Sequence, residues 1–182
     1  MSEINDDQRT KLEDEHQDEK ILDRVSGYNH NYIGDAVLGA VDGGVTTFAV
    51  ITGAVGGGFG NQVVVVLGFA KLFADGFSMA ASNFMRARSQ QDRIKEARQE
   101  EQHHIRHIPD GERDEIRHIF AQKGFKGEIL DSIVATITED EERWVGIMLT
   151  EELGLPTEAP SPFFAAGATF GAFLLVSLIP LI

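Results

Sequence analysis

The chain has 182 residues, of which 29 are acidic and 16 basic, for a formal net charge of −13, and it contains no cysteine. The acidic excess excludes nucleic-acid binding by phosphate neutralisation, which requires clustered Lys and Arg, and suits cations instead. Without cysteine, disulfides, thiolate metal sites and thiol catalysis are excluded, leaving carboxylate, imidazole and thioether as the available ligands.

Residues 1–31 form an acidic, polar arm with no basic region running into an apolar one, so no cleaved signal peptide is expected and no chemistry is assigned to them. Beyond the arm, apolar residues gather into three blocks, 36–55, 63–81 and 163–182. Each is about twenty residues long, enough for a helix to cross ~30 Å of hydrocarbon.

The first block is rich in small residues. Gly39 with Gly43 and Gly53 with Gly57 repeat the GxxxG spacing that lets membrane helices approach closely. In its middle stands Asp42, whose carboxylate at a bilayer centre would cost roughly 2.5–3.5 kcal/mol unless it faces protein or water. An Asp capping a broken helix in a soluble protein is the alternative, and the apolar flanks on both sides weigh against it. The second block carries Lys71 and Asp75 four residues apart, positioned to pair on one helix face. Met79, one turn beyond, offers a polarisable sulfur or simple packing.

Arg86, Arg88, Arg93, Lys95 and Arg98 follow this block, whereas the turn between the first two blocks has no basic residue. By the positive-inside rule the N-terminus and the central polar region face the cytoplasm. The helical pattern continues to about His107, where Pro109 ends it. A helix is predicted from Asp110, as N-cap, to Lys123 with Gly124 as its stop. Another runs over 127–137, with an apolar stripe of Ile129, Leu130, Ile133, Val134 and Ile137. A last one is opened by a Thr138/Glu141 capping box and passes through Trp144, Met148 and Glu152 to Gly154.

Glu101 with His104, and Glu112 with Glu115, are three residues apart and share helix faces next to the apolar stripes. Burying bare carboxylates there is costly, and a divalent cation would remove the cost. Met148 and Glu152 point a thioether and a carboxylate toward the same interior. A solvated, charge-rich hairpin remains the alternative from spacing alone. Glu100-x-x-His103, Glu101-x-x-His104 and Glu115-x-x-His118 also satisfy the Glu-x-x-His pattern of ferritin-like di-iron carboxylate oxidases and stores, although such bundles need four long ligand-bearing helices. The block 163–182 carries no charge and reaches Ile182, the last residue, which predicts that further sequence follows in the native protein.

The stretches DAVLGAVDGGVTTFAVITG, ADGFSMAASNF and ERWVGIMLTEELGLP, in this order, resemble the vacuolar iron transporter family over nearly all of residues 30–182. The resemblance implies a non-enzymatic membrane transporter that exports Fe²⁺, often also Mn²⁺, from the cytoplasm in exchange for protons. It implies a homodimer in the bilayer with the ion path between subunits, and no organic cofactor. Residue by residue, it assigns Asp42 and Met79 to the path. It assigns Glu101, Glu112, Glu115, Met148 and Glu152 to a cytoplasmic metal-collecting site, with His104 where the family often has glutamate; carboxylate and imidazole would accept Fe²⁺, Mn²⁺, Zn²⁺ or Co²⁺. Ser82 and Asn83 stand where many members carry a glutamate, so that residue's proton-coupling role does not transfer. The family has five membrane helices and this chain supplies three, which keeps a non-transporting, membrane-anchored metal-binding protein as a further alternative. The expected fold is all-α, with an acidic cytoplasmic arm at 1–31, membrane helices 1 and 2 within 32–85, an inserted cytoplasmic helical metal-binding domain at 86–158 and membrane helix 3 within 159–182.

Overall fold

A computed structural model describes residues 31–182, so all but the last residue of the acidic arm lies outside the described residues. Within them the chain is helical and has no strand. The helices are α1 (Ile33–Gly56), α2 (Asn61–His107), α3 (Pro109–Gln122), α4 (Gly127–Thr138) and α5 (Glu141–Ile147), the last continued by a π-helical turn, Met148–Glu152. Then come α6 (Pro162–Leu178) and a closing 3₁₀ turn, Ile179–Leu181.

Three of these segments, α1, α2 and α6 with its final turn, are long and apolar enough to cross a membrane. Their exposed residues include Val41, Phe48, Phe73, Phe77 and Phe163, side chains that hydrocarbon accepts and water penalises. Residues buried at four-residue intervals make the helix contacts: Gly39, Gly43 and Thr47 on α1, and Ala165, Thr169, Phe173 and Ser177 on α6. The first GxxxG pair works as its spacing predicts. A Cβ on Gly39 would collide with the carbonyl oxygen of Thr169, and one on Gly43 would stand 2.8 Å from that of Phe173. The second pair does not, for nothing lies within 4 Å of a Cβ on Gly53.

A polar node unites the three helices at the end of the apolar layer. Asn83 Nδ2 donates to Asp35 Oδ1 (3.0 Å), to Thr169 Oγ1 (2.7 Å) and to the carbonyl of Ala165 (3.1 Å). Arg86 closes it, donating through Nε to Asn83 Oδ1 and through Nη2 to Asp35 Oδ1, both at 2.9 Å. Nearer the other end, Lys71 Nζ donates to Asp75 Oδ2 (2.5 Å), as the spacing predicts. It also donates to Thr46 Oγ1 of α1 (2.7 Å) and lies 5.5 Å from the centre of the Phe173 ring.

Spanning ~30 Å of hydrocarbon takes about 20 helical residues. The 47 residues of α2 therefore run far past any bilayer. Against its extension fold α3 to α5, around a core that includes Ile105, Ile116, Val134, Trp144, Met148 and Leu149. Ion pairs from Arg98 to Glu142 (2.8 Å) and from Arg106 to Glu141 (2.7 Å) hold the start of α5 against α2. Ile129, expected in the apolar stripe of α4, is instead exposed, and Leu130, Val134 and Ile137 form the buried face.

Two predicted caps differ. Pro109 is itself the first residue of α3, where its missing N–H costs nothing, and Asp110 sits within the first turn, paired with Arg113. Asp140, not Thr138, caps α5 by accepting from the Arg143 N–H, because α4 continues through Thr138 and leaves it no capping geometry. Gly124 ends α3 as expected, with a φ of +100° that favours glycine.

Candidate metal site

Glu101, His104 and Glu112 each offer a ligand atom within 4.8 Å of the others. Helix geometry brings Glu101 and His104 together on α2, and the chain reversal at Pro109 lays the first turn of α3 against them. Glu101 and Glu112 are only 4 % and 2 % exposed, and Glu101 Oε2 and Glu112 Oε2 have no hydrogen-bond partner among the described residues. His104 Nδ1 stands 3.6 Å from Glu112 Oε1.

Two carboxylates placed inside a fold with vacant lone pairs are unfavourable as they stand. Burial pushes Glu101 up to about 7, with further upward pressure from Glu152, Glu112 and Glu115 and an opposing pull from His104. Glu112 is raised by burial first and then by Glu115, and Glu152 likewise by burial and then by Glu115. Four carboxylates thus crowd a single imidazole, a concentration of negative charge that a bound cation would relieve. Carboxylate oxygens and one imidazole nitrogen form a donor set suited to Mn²⁺, Fe²⁺, Co²⁺ or Zn²⁺.

The expected residues fall into two groups. Glu101, His104 and Glu112 form the centre. Glu115 and Glu152 lie on its exposed side and join it through their charge. Met148 is fully buried in the adjoining core. Of the three Glu-x-x-His pairs only Glu101 with His104 enters the cluster; Glu100, His103, Glu115 and His118 are exposed. The π-helical turn carrying both Met148 and Glu152 had no sequence signal. Its bonding is explicit in the Leu153 N–H donating to the carbonyl of Met148, five residues back, at 3.1 Å.

Within the apolar layer Asp42 is half-buried on α1, and its carbonyl accepts from Thr46 Oγ1 at 2.5 Å. Met79 lines a cavity of about 230 Å³ with Leu38, Ser78, Ser82, Asn83 and Arg86, a lining that does not include Asp42. Sequence reasoning missed the node of Asp35, Asn83, Arg86 and Thr169. Its one available signal was polar residues on three apolar helices, and nothing in their spacing states that they meet.

The sequence profile of the VIT family matches residues 33–182. The chain belongs to the VIT family. It is 30 % identical over 154 residues to the vacuolar iron transporter of Toxoplasma gondii, an alignment covering 83 % of this chain and 51 % of that protein. To vacuolar iron transporter 1 of Tulipa gesneriana it is 28 % identical over 148 residues, covering 81 % and 60 %. To vacuolar iron transporter 1 of Arabidopsis thaliana it is 29 % identical over 151 residues, again covering 81 % and 60 %. The chain spans between half and two thirds of the length of these curated relatives. Family membership and the three apolar helices make it a multi-pass membrane protein.

Proposed function

We propose that the chain is the part of a membrane transporter that collects and passes Fe²⁺, with Mn²⁺ as a second substrate, out of the cytoplasm in exchange for protons. The observation that carries this reading is the cluster of Glu101, His104 and Glu112, whose buried carboxylates each keep one oxygen, Oε2, without a hydrogen-bond partner, at a helix that also belongs to the membrane layer. Relatives named as vacuolar iron transporters support iron as the cargo.

In this scheme Glu101, His104, Glu112, Glu115, Met148 and Glu152 gather the cation on the cytoplasmic side, the side favoured by Arg86, Arg88, Arg93, Lys95 and Arg98. Asp42 and Met79 then receive it within the membrane, along a path between two copies of the protein. A bare carboxylate at Asp42 is costly at that depth, so a proton or a cation should always accompany it, and exchanging one for the other couples the two flows. Asn83 does not serve as the coupling acid, because a carboxamide does not titrate, and its side chain is instead engaged with Asp35, Thr169, Ala165 and Arg86.

The test is uptake of Fe²⁺ into vesicles carrying the reconstituted protein, driven by an acidic interior. Asp42→Ala should abolish the pH-driven component while leaving metal binding at the cluster intact. Undiminished uptake by this variant would reject the role given to Asp42.

A further inference from the structure

We propose that His103 and His107 form a second metal site, an exposed imidazole pair that takes up a divalent transition-metal ion ahead of the buried carboxylate cluster. The proposal rests on the cluster being a metal receptor. It adds an entrance that discriminates among cations.

The two histidines are four residues apart on α2 and therefore share a face. Their ring centroids are 4.1 Å apart with planes inclined by only 26°, so a shared ion, which must lie in both ring planes at about 2.1 Å from each nitrogen, requires the exposed His103 ring to turn about its Cβ–Cγ bond. His107 Nδ1 lies 2.7 Å from the carbonyl oxygen of His103. A carbonyl can only accept, so Nδ1 donates, and it is Nε2 that faces away from the backbone, available to a metal ion. Tethering one ring nitrogen to a backbone carbonyl in this way fixes tautomer and orientation, as metal-ligating imidazoles commonly require. Glu100 lies one turn before His103 on the same exposed stripe and adds negative charge to it.

The pair also adjoins the inner site. The ring of His103 is 6.3 Å from that of His104, whose Nδ1 is 3.6 Å from Glu112 Oε1. Imidazoles thus step from the surface at His107 through His103 to His104 and the buried carboxylates. The order has a chemical use. Oxygen ligands such as Glu101 and Glu112 accept Mg²⁺ and Ca²⁺ readily, whereas an imidazole pair favours transition metals. Nitrogen ligands beside the oxygen ligands would concentrate transition-metal ions there, an advantage that Mg²⁺ and Ca²⁺ would not share.

His118 supplies an internal comparison. Its Nδ1 is tied in the same way, 2.7 Å from the carbonyl oxygen of Asp114. It lacks a second imidazole one turn away, since positions 114 and 122 are Asp and Gln.

The experiment is diethylpyrocarbonate modification of the full chain in detergent, read histidine by histidine by mass spectrometry, with Zn²⁺ or Mg²⁺ as the probe. A Glu101→Gln/Glu112→Gln background disables the inner site. In that background Zn²⁺ should still protect His103 and His107 but not His118, and Mg²⁺ should protect none. His107→Ala should raise the Zn²⁺ concentration needed to protect His103 by at least about tenfold, while His118→Ala should leave it unchanged. Equal modification of His103 and His107 with and without Zn²⁺ would overturn the pair as a site. So would protection that disappears in the Glu101→Gln/Glu112→Gln background, since the inner ion alone would then account for it. Mn²⁺ titration of a His103→Ala/His107→Ala variant reports separately on the inner cluster, so loss of one reading is distinguishable from loss of the other.

Discussion

Asn83 and Asp35 are joined by a 3.0 Å hydrogen bond between α2 and α1, in a place where water is scarce and α6 supplies two further acceptors. Polar contacts between membrane helices are worth about 0.6 kcal/mol on average and up to about 2, so one node with several of them matters to the fold. Asn83→Ala should lower the thermal midpoint of the detergent-solubilised protein, with a loss of about 1–3 kcal/mol, because Asp35 and Thr169 lose a donor while remaining buried. An unchanged midpoint would show that the node contributes no stability.

Close approach of α1 and α6 yields a second expectation. Gly39→Leu should destabilise the helix pair by about 1–3 kcal/mol, the usual cost of overpacking, since its Cβ meets the Thr169 backbone rather than a movable side chain. Gly167 is open on the same measure, with nothing within 4 Å, and Gly167→Ala within α6 should not destabilise and should gain up to about 1 kcal/mol. Both are read from one melting series.

At the cluster, stability and binding should move in opposite directions. Glu112→Gln removes a buried charge and should raise the metal-free melting temperature at pH 8, by roughly 2–4 °C for each kcal/mol gained. The same change should weaken Mn²⁺ or Fe²⁺ binding at least about tenfold by calorimetry. Unaltered affinity would remove Glu112 from the ligand set and leave its burial beside Glu101 without a metal to explain it.

The pH dependence follows from Glu101, raised by its surroundings from 4.5 to about 7. In that interval the folded chain holds a proton that the unfolded chain has released, so the stabilising term is complete below about pH 4.5 and is lost as pH rises through about 7. Metal-free protein should therefore lose stability from pH 5 to pH 8, by more than Glu101→Gln does over the same range. Saturating Mn²⁺ should reverse the trend, because ionised ligands are the ones it binds. The melting temperature of both proteins, with and without metal, checks the sign.

Much of this was legible in the residues. Three charge-poor blocks announced the three spans, Pro109 the hairpin, and the Glu101/His104 spacing a carboxylate and an imidazole on one helix face. Local periodicity carries that information because each signal lies within a turn or two of helix. What it could not carry was depth and partnership. Glu112 and Glu115 look alike in sequence, yet Glu112 is buried and Glu115 exposed, a difference fixed by how α3 seats on α2. Asp35, Asn83 and Thr169 meet only because three helices are packed together. The π-helical turn carries Met148 and Leu149, both buried in the core, and local propensity gives no warning of it.

One consequence of the unbroken α2 concerns distance. Met79 and Glu101 ride on the same helix, and at 1.5 Å per residue they stand ~33 Å apart along it. At that distance two proposed ion positions would feel each other only weakly through space, so coupling between them would have to pass through α2, the one element that carries both.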